Sequence, residues 1–127
     1  MKRYHLTVRN GLFFTRAALR QQKLFRVVSL LIDTGASLTI ISWGTLLSLG
    51  LDPTASAIRQ PVTTANGLVW MPQVEIEEFN ALGESVGSFR VLAHTIPLGT
   101  QVNGVLGMDF LRQFEFRLDF KQSVIEL

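Results

Sequence analysis

Between positions 27 and 41 the chain turns from apolar to small and polar and back again. Val27-Val28-Ser29-Leu30-Leu31-Ile32 is aliphatic and β-branched, and it stops at Asp33-Thr34-Gly35. That pattern predicts a buried strand running into a tight turn. Leu38-Thr39-Ile40-Ile41 resumes strand character. Ser42 is placed to cap a short helix over 43–49, and Gly50 suits the left-handed residue that closes one. Positions 57–65 and 68–79 predict two strands joined at Asn66-Gly67, a dipeptide that favours a type I′ turn because that turn needs positive φ at both central residues. Val74 and Ile76 alternate with Gln73, Glu75 and Glu77, the period of a half-buried strand. Another strand is expected over 87–93, with Phe89, Val91 and Ala93 on one face. A buried turn follows over 102–107, then a short helix over 108–113 and a final pair of strands over 114–127. Residues 4–8 and 12–15 are expected as N-terminal strands or a dimer arm. The fold class is therefore all-β with one or two short helices.

Length limits the reading to one domain. The chain has 127 residues, enough to bury roughly two-thirds of its unfolded surface. The domain is taken as 1–127, with 26–127 carrying the stronger pattern. Hydrophobic residues make up 47% and charged residues 17%, the opposite of the composition that keeps a chain disordered. The surplus of apolar surface suits a subunit interface. Net charge is only +2. The basic residues thicken only towards the start, at Lys2, Arg3, Arg9, Arg16, Arg20, Lys23 and Arg26, too weak a footprint for a nucleic-acid partner. The chain has no cysteine, so disulfides and thiolate chemistry are excluded. No apolar run approaches the length of a membrane span, and no signal-peptide pattern opens the chain. No membrane partner and a cytoplasmic location are the default expectations. His5 and His94 are too isolated in sequence to make a metal site, which needs three or four converging ligands. No metal and no cofactor are expected.

The chemistry lies in Leu31-Ile32-Asp33-Thr34-Gly35-Ala36-Ser37. An Asp ending an apolar strand is costly to bury as an anion. Gly35 lets the backbone turn where a Cβ would clash, and the Thr34 hydroxyl can both donate and accept. Together these hold one carboxylate at the tip of a stiff loop. A single carboxylate is an acid or a base. Two facing carboxylates about 3 Å apart cannot both ionise, so they share a proton and do both jobs. The ionised partner then takes a proton from a water lying between them, and the protonated partner donates to the substrate carbonyl oxygen.

This segment resembles the active-site loop of aspartic proteases, and Ala36 after the Gly resembles the retropepsins. Gly104-Val105-Leu106-Gly107-Met108-Asp109-Phe110-Leu111 is similar to the second signature of that fold, two hydrophobic residues and a Gly followed by a short helix. Thr64-Ala65-Asn66-Gly67 stands where the family has its flap. The three occur in the family's order across 27–127. The match is better to cellular and bacterial retropepsin-like enzymes than to viral ones, which usually carry an Asp where this chain has Ser37. The resemblance implies a half-barrel completed by homodimerisation, because pepsin-like enzymes carry two Asp-Thr-Gly copies in a longer chain and this chain carries one.

It also implies roles. Asp33 is the catalytic carboxylate, and Thr34 hydrogen-bonds across the dimer beneath the two acids. Gly35, Ala36 and Ser37 support the loop, Ser37 near the aspartate or the substrate. Ala65, Asn66 and Gly67 form the flap tip over the substrate, with Trp70 and Met71 at the flap base or in the pocket. Val105, Leu106 and Gly107 form the second-signature loop. Bland readings stand beside these: a turn-capping Asp33, a β-propensity Thr34, a local turn hydroxyl at Ser37, a plain hairpin at Asn66-Gly67, and core packing for Trp70 and Met71. Asp109 opens a helix, where the dipole favours a carboxylate, and is not expected as a second acid. Asp119 is expected to face solvent on a strand. Phe110, Phe114, Phe116 and Phe120 are expected in the core or the dimer interface. The leading function is an aspartic endopeptidase acting on a peptide or protein substrate. The alternative is a non-catalytic binding or scaffold module of the same fold, and a third possibility is a protease that processes only its own precursor.

Overall fold

The computed structural model describes residues 2–96 and 101–127. Strands β1 (Arg3–His5), β2 (Thr7–Arg9) and β3 (Leu12–Gln21) lead into β4 (Leu24–Ile32). After the Asp33 loop come β5 (Ile40–Ser42), helix α1 (Trp43–Ser48) and a single 3-10 turn at Pro53–Ala55. Two successive hairpins follow, built from β6 (Arg59–Thr64), β7 (Gly67–Ala81) and β8 (Glu84–His94). The chain closes with β9 (Gly104–Leu106), helix α2 (Met108–Leu111), β10 (Arg117–Asp119) and β11 (Val124–Glu126). The all-β class with two short helices is thus observed.

Eight strands form the main sheet in the order β2-β3-β4-β9-β5-β8-β7-β6, and β3 also pairs with β7, which draws the sheet round on itself. The parallel pairings β4–β9 and β5–β8 are joined through antiparallel β5–β9. The remaining three strands form a small sheet, β1-β11-β10. Its N-terminal strand pairs with the chain's own C-terminus, and Lys2 and Leu127 exchange both backbone hydrogen bonds at 2.9 Å.

Three local expectations need correction. β4 is not buried along its length: Val28 and Leu30 face the core, whereas Val27 is 56% exposed. One face of the strand looks outward, so the aliphatic run hid a two-faced strand. The 57–79 hairpin does not use a type I′ turn at Asn66-Gly67. Thr64 pairs with Gly67, so Ala65 and Asn66 are central, and of the four only Gly67 has positive φ, 110°. The Thr64 hydroxyl explains the shift: it accepts from Asn66 N–H at 3.3 Å and donates to the Gly67 carbonyl at 2.9 Å. The positive-φ pair lies instead at Asn10-Gly11, between β2 and β3, and at Leu82-Gly83, between β7 and β8. Asp119 is half-buried, and its Oδ1 accepts from Gln122 N–H at 3.0 Å.

α1 forms as expected. Ser42 Oγ accepts from Thr45 N–H at 3.3 Å, and Gly50 closes the end with φ of 78°. The core sits between the two faces of the curved sheet and the helices, centred on Leu19, Leu30, Ile41, Leu46, Ile76 and Leu106. Phe110, fully buried on α2, packs edge-on to Phe79 at 5.4 Å and lies 5.2 Å from Phe114. Aromatic pairs at these separations add stabilisation beyond the area they bury, and here they tie α2 to β7. Phe116 packs against the core from a half-buried position, and Phe120 lies 63% exposed against Phe13.

Candidate active site

Asp33 leaves the sheet at the end of β4. Its N–H donates to the Leu106 carbonyl at 3.1 Å, which carries the parallel β4–β9 ladder one residue beyond Ile32. The turn closes where Ala36 N–H donates to the Asp33 carbonyl at 3.2 Å. Gly35 N–H donates to Asp33 Oδ1 at 2.9 Å, and a Cβ at Gly35 would stand 3.1 Å from that oxygen. A larger residue there would crowd the carboxylate it orients. Asp33 itself is half-buried, while Thr34 and Gly35 are exposed.

The second signature grips this loop from behind. Met108 N–H donates to the Ala36 carbonyl at 2.8 Å, and Asp109 N–H to the Ser37 carbonyl at 3.1 Å. The two backbones come close enough that a Cβ at Gly107 would lie 2.7 Å from the carbonyl carbon and oxygen of Leu38. That approach is open only to glycine. Val105 and Leu106 sit behind the loop on β9, Leu106 fully buried.

Thr39 is the buried polar residue of the site, with no exposed surface. Its hydroxyl accepts from Gly107 N–H at 3.1 Å and donates to Asp109 Oδ1 at 2.7 Å. Its N–H donates to Asp109 Oδ2 at 2.9 Å, and its carbonyl accepts from Leu92 N–H at 2.9 Å. Every polar group of Thr39 is therefore satisfied, as burial requires. Asp109 does open α2, and its Oδ1 also accepts from Phe110 N–H at 2.9 Å. Its main work is on the other side, where both oxygens clamp Thr39 and hence the strand leaving the Asp33 loop.

A cavity of about 580 Å³ opens above the loop. Asp33, Gly35, Ala36, Ser37 and Leu38 form its floor; Ile40, Leu92 and His94 form one wall. Pro61, Val62, Thr63, Thr64 and Met71, from the β6–β7 hairpin, form the other. Ala65, Asn66 and Gly67 sit at the hairpin tip, outside this lining. Trp70 neighbours Met71 on β7, where alternate side chains point to opposite faces. Met71 is buried against the cavity, and Trp70 is 59% exposed on the other side. Among the described residues no three or more His, Asp or Glu converge as metal ligands would.

A family model described as aspartyl protease matches residues 22–110, a span holding the Asp33 loop, the hairpin and the second signature. The chain belongs to the aspartyl protease family. Its fold is that of the retropepsins. The structure of a retropepsin-like aspartic protease from Rickettsia conorii aligns over 100% of this chain and 99% of its own, with a TM-score of 0.74 at 22% identity. The EIAV protease, solved with an inhibitor, aligns over 79% of this chain and 85% of its own, with a TM-score of 0.56 at 18% identity. A search of curated protein sequences finds no match.

Sequence reasoning passed over several residues of this candidate site. Thr39 read as an ordinary strand residue and Asp109 as a helix opener. The available signal was an acid directly after Gly107-Met108, on the segment expected to approach the loop. His94 read as isolated, yet it stands two residues after Leu92 on β8, the spacing that puts both side chains on one face of a strand.

Proposed function

We propose that this member of the aspartyl protease family is an active endopeptidase that works as a homodimer, each copy supplying Asp33. The observation that carries this reading is one carboxylate, held by backbone hydrogen bonds on both flanks, on the floor of a cleft walled by a hairpin. Asp33 is the one acid lining that cleft among the described residues. The other nearby acid, Asp109, has its carboxylate engaged with Thr39. Peptide hydrolysis by an acid–base pair then needs a second carboxylate from a second copy, placed on a two-fold axis. A water between the two acids gives its proton to the ionised one as its oxygen bonds to the substrate carbonyl carbon, while the protonated one donates to the carbonyl oxygen. The acid that took the water's proton then passes it to the amide nitrogen, the other takes back the proton from the oxygen, and the tetrahedral intermediate collapses as the C–N bond breaks and the amine leaves.

Thr34, exposed beside Asp33 in the single chain, is left to meet its twin beneath the two carboxylates. The β6–β7 hairpin acts as the flap, closing over bound peptide and excluding water. The cleft walls are largely aliphatic, which favours hydrophobic residues next to the scissile bond.

Asp33→Asn tests the mechanism. The variant keeps the shape and the Gly35 hydrogen bond but lacks an ionisable acid. Peptide-library cleavage by the wild type is expected to disappear in the variant, with an unchanged circular dichroism spectrum. Cleavage retained by Asp33→Asn would refute the mechanism. A specific activity that stays constant on dilution, in a protein that sediments as a monomer at every concentration, would refute the dimer.

A further inference from the structure

The geometry points to His94 as a specificity-determining residue: we infer that it reads a substrate side chain with an apolar stem and a terminal hydrogen-bond acceptor, glutamate or glutamine. The inference rests on the peptidase reading above and names part of its substrate class.

His94 ends β8 and is half-buried in the wall of the cavity that holds Asp33. Leu92 and His94 both line this cavity, whereas Ala93 between them is buried in the core cluster. That alternation turns the imidazole toward the cleft. Its strand neighbour across the parallel pairing is Ser42. The Ser42 hydroxyl is already engaged with Thr45, 2.7 Å from its Oγ1 and accepting from its N–H. Ile40, Val62, Met71 and Leu92 line the same cavity and make its walls largely aliphatic.

The strand order fixes where along a substrate this contact falls. Asp33 follows β4 and His94 ends β8, with β9 and β5 between them. Three strand spacings separate them across the sheet, roughly 14 Å at about 4.8 Å each. His94 is also in register with Ser29, four residues before Asp33, through Ser42 and Asn103, which adds roughly 13 Å along the strands. An extended peptide covers the resulting separation of roughly 19 Å in about five or six residues at roughly 3.4 Å each. His94 is therefore too far away to touch the scissile bond and is placed to read a residue several positions from it.

An imidazole always offers at least one N–H. A donor in a cavity with aliphatic walls rewards a side chain whose methylenes pack on those walls and whose tip accepts. An alanine in that position leaves the donor unpaired beneath bound peptide, which is costly. Lysine brings no acceptor and a positive charge. Asp33 and His94 are the two titratable groups lining the cleft among the described residues, so no basic side chain there competes for the acceptor.

The test uses binding as well as cleavage. The Asp33→Asn protein is titrated with fluorescent dodecapeptides of one sequence, with Glu, Gln, Ala or Lys placed in turn at each of the fourth to sixth positions on either side of the scissile bond, and read by anisotropy. At one of these positions Glu and Gln are expected to bind about tenfold more tightly than Ala, with Lys weakest. Adding His94→Ala is expected to erase that ranking, with the Glu and Gln peptides binding more weakly and the Ala peptide at least as tightly as before, since no donor is then buried unpaired. In cleaving protein, the same substitution should raise KM for the Glu and Gln peptides and leave kcat unchanged. A flat ranking at every position, or a His94→Ala variant that weakens all peptides equally, overturns the inference. If the ranking appears and depends on His94 but the wild type cleaves nothing, the peptidase reading fails and the specificity assignment stands.

Discussion

Replacing Thr39 by Val removes one hydroxyl from the network behind the Asp33 loop and changes little else in shape. Two hydrogen bonds go with it: the one accepted from Gly107 N–H at 3.1 Å and the one donated to Asp109 Oδ1 at 2.7 Å. The first leaves a buried backbone donor without a partner, a loss of about 1–3 kcal/mol. The second is charge-assisted, but Asp109 is only half-buried and keeps its bonds from Thr39 N–H and Phe110 N–H, so water offsets part of its loss. Together the expected destabilisation is about 2–4 kcal/mol, a large share of the total for a domain of this size. With m near 1–3 kcal/mol/M, the urea midpoint should fall by about 1–2 M. Thr39→Ser keeps the hydroxyl and gives up one methyl, for roughly 1 kcal/mol. The assay is paired urea denaturation of the two variants, with peptide cleavage measured on the folded protein. Val is expected to be clearly the less stable and to cleave more slowly than Ser, because the Asp33 loop loses its anchor to Gly107. Equal midpoints for Val and Ser would show that the hydroxyl does not hold the two segments together, and the clamp argument would fail.

Other expectations follow from the same geometry. Gly107→Ala forces a methyl into the Leu38 carbonyl at 2.7 Å and should lower thermal stability and activity together, whereas Gly44→Ala, with open space around its Cβ, should leave both unchanged. Glu78 is held below its ordinary pKa of 4.5, first by the hydrogen bond from Arg20 and then by the one from Ser85; a carboxylate lowered on folding contributes stability above its unfolded pKa and loses it as pH falls through the folded value. Arg20→Gln should therefore be less stable than wild type near neutral pH, and the gap between their midpoints should close as the pH falls below 4.5. In hydrogen exchange, amides of β6 should exchange faster than those of the Val74–Ala81 portion of β7, since among the described residues β6 pairs with β7 alone.

Much of the fold was legible because its signals are local. The Ser42 cap, the Gly50 terminator and the alternation from Val74 to Ile76 each act within a few residues. The Asp33 loop was legible for the same reason, as an apolar run broken by Asp-Thr-Gly. What stayed hidden depends on contacts distant in sequence. Nothing near Thr39 announces that Asp109 and Gly107 will close on it, and nothing near His94 announces that the hairpin will face it. The turn at Ala65-Asn66 shows a subtler limit. Asn-Gly favours one turn, but the Thr64 hydroxyl engages the turn backbone and moves the centre back one residue. The aliphatic run of β4 misled in another way, because Val27 looks buried by type and is exposed by position.

The cleft joins two mechanical regimes, and the division follows the pairing pattern. Below, residues 33–39 are stitched to 106–109 by backbone bonds and by Thr39, so the carboxylate has little freedom to wander. Above, the outer half of the β6–β7 hairpin is held by its own two strands, and a two-stranded hairpin is marginal in isolation. Its root is pinned where Ser56 Oγ donates to the Gln73 carbonyl at 2.6 Å and Gln73 N–H donates to the Ile58 carbonyl at 2.9 Å. Beyond that root β7 is paired with β8 from Gln73 onward and with β3 at its far end. On the peptidase reading, the pivot for a hairpin that rises and falls over the acid is this root at Ser56, Ile58 and Gln73. The proposed chemistry asks for positional precision at the carboxylate and admission of a peptide at the roof, and the pairing pattern suits both: among the described residues the floor carries long-range bonds and the outer hairpin pairs only with itself.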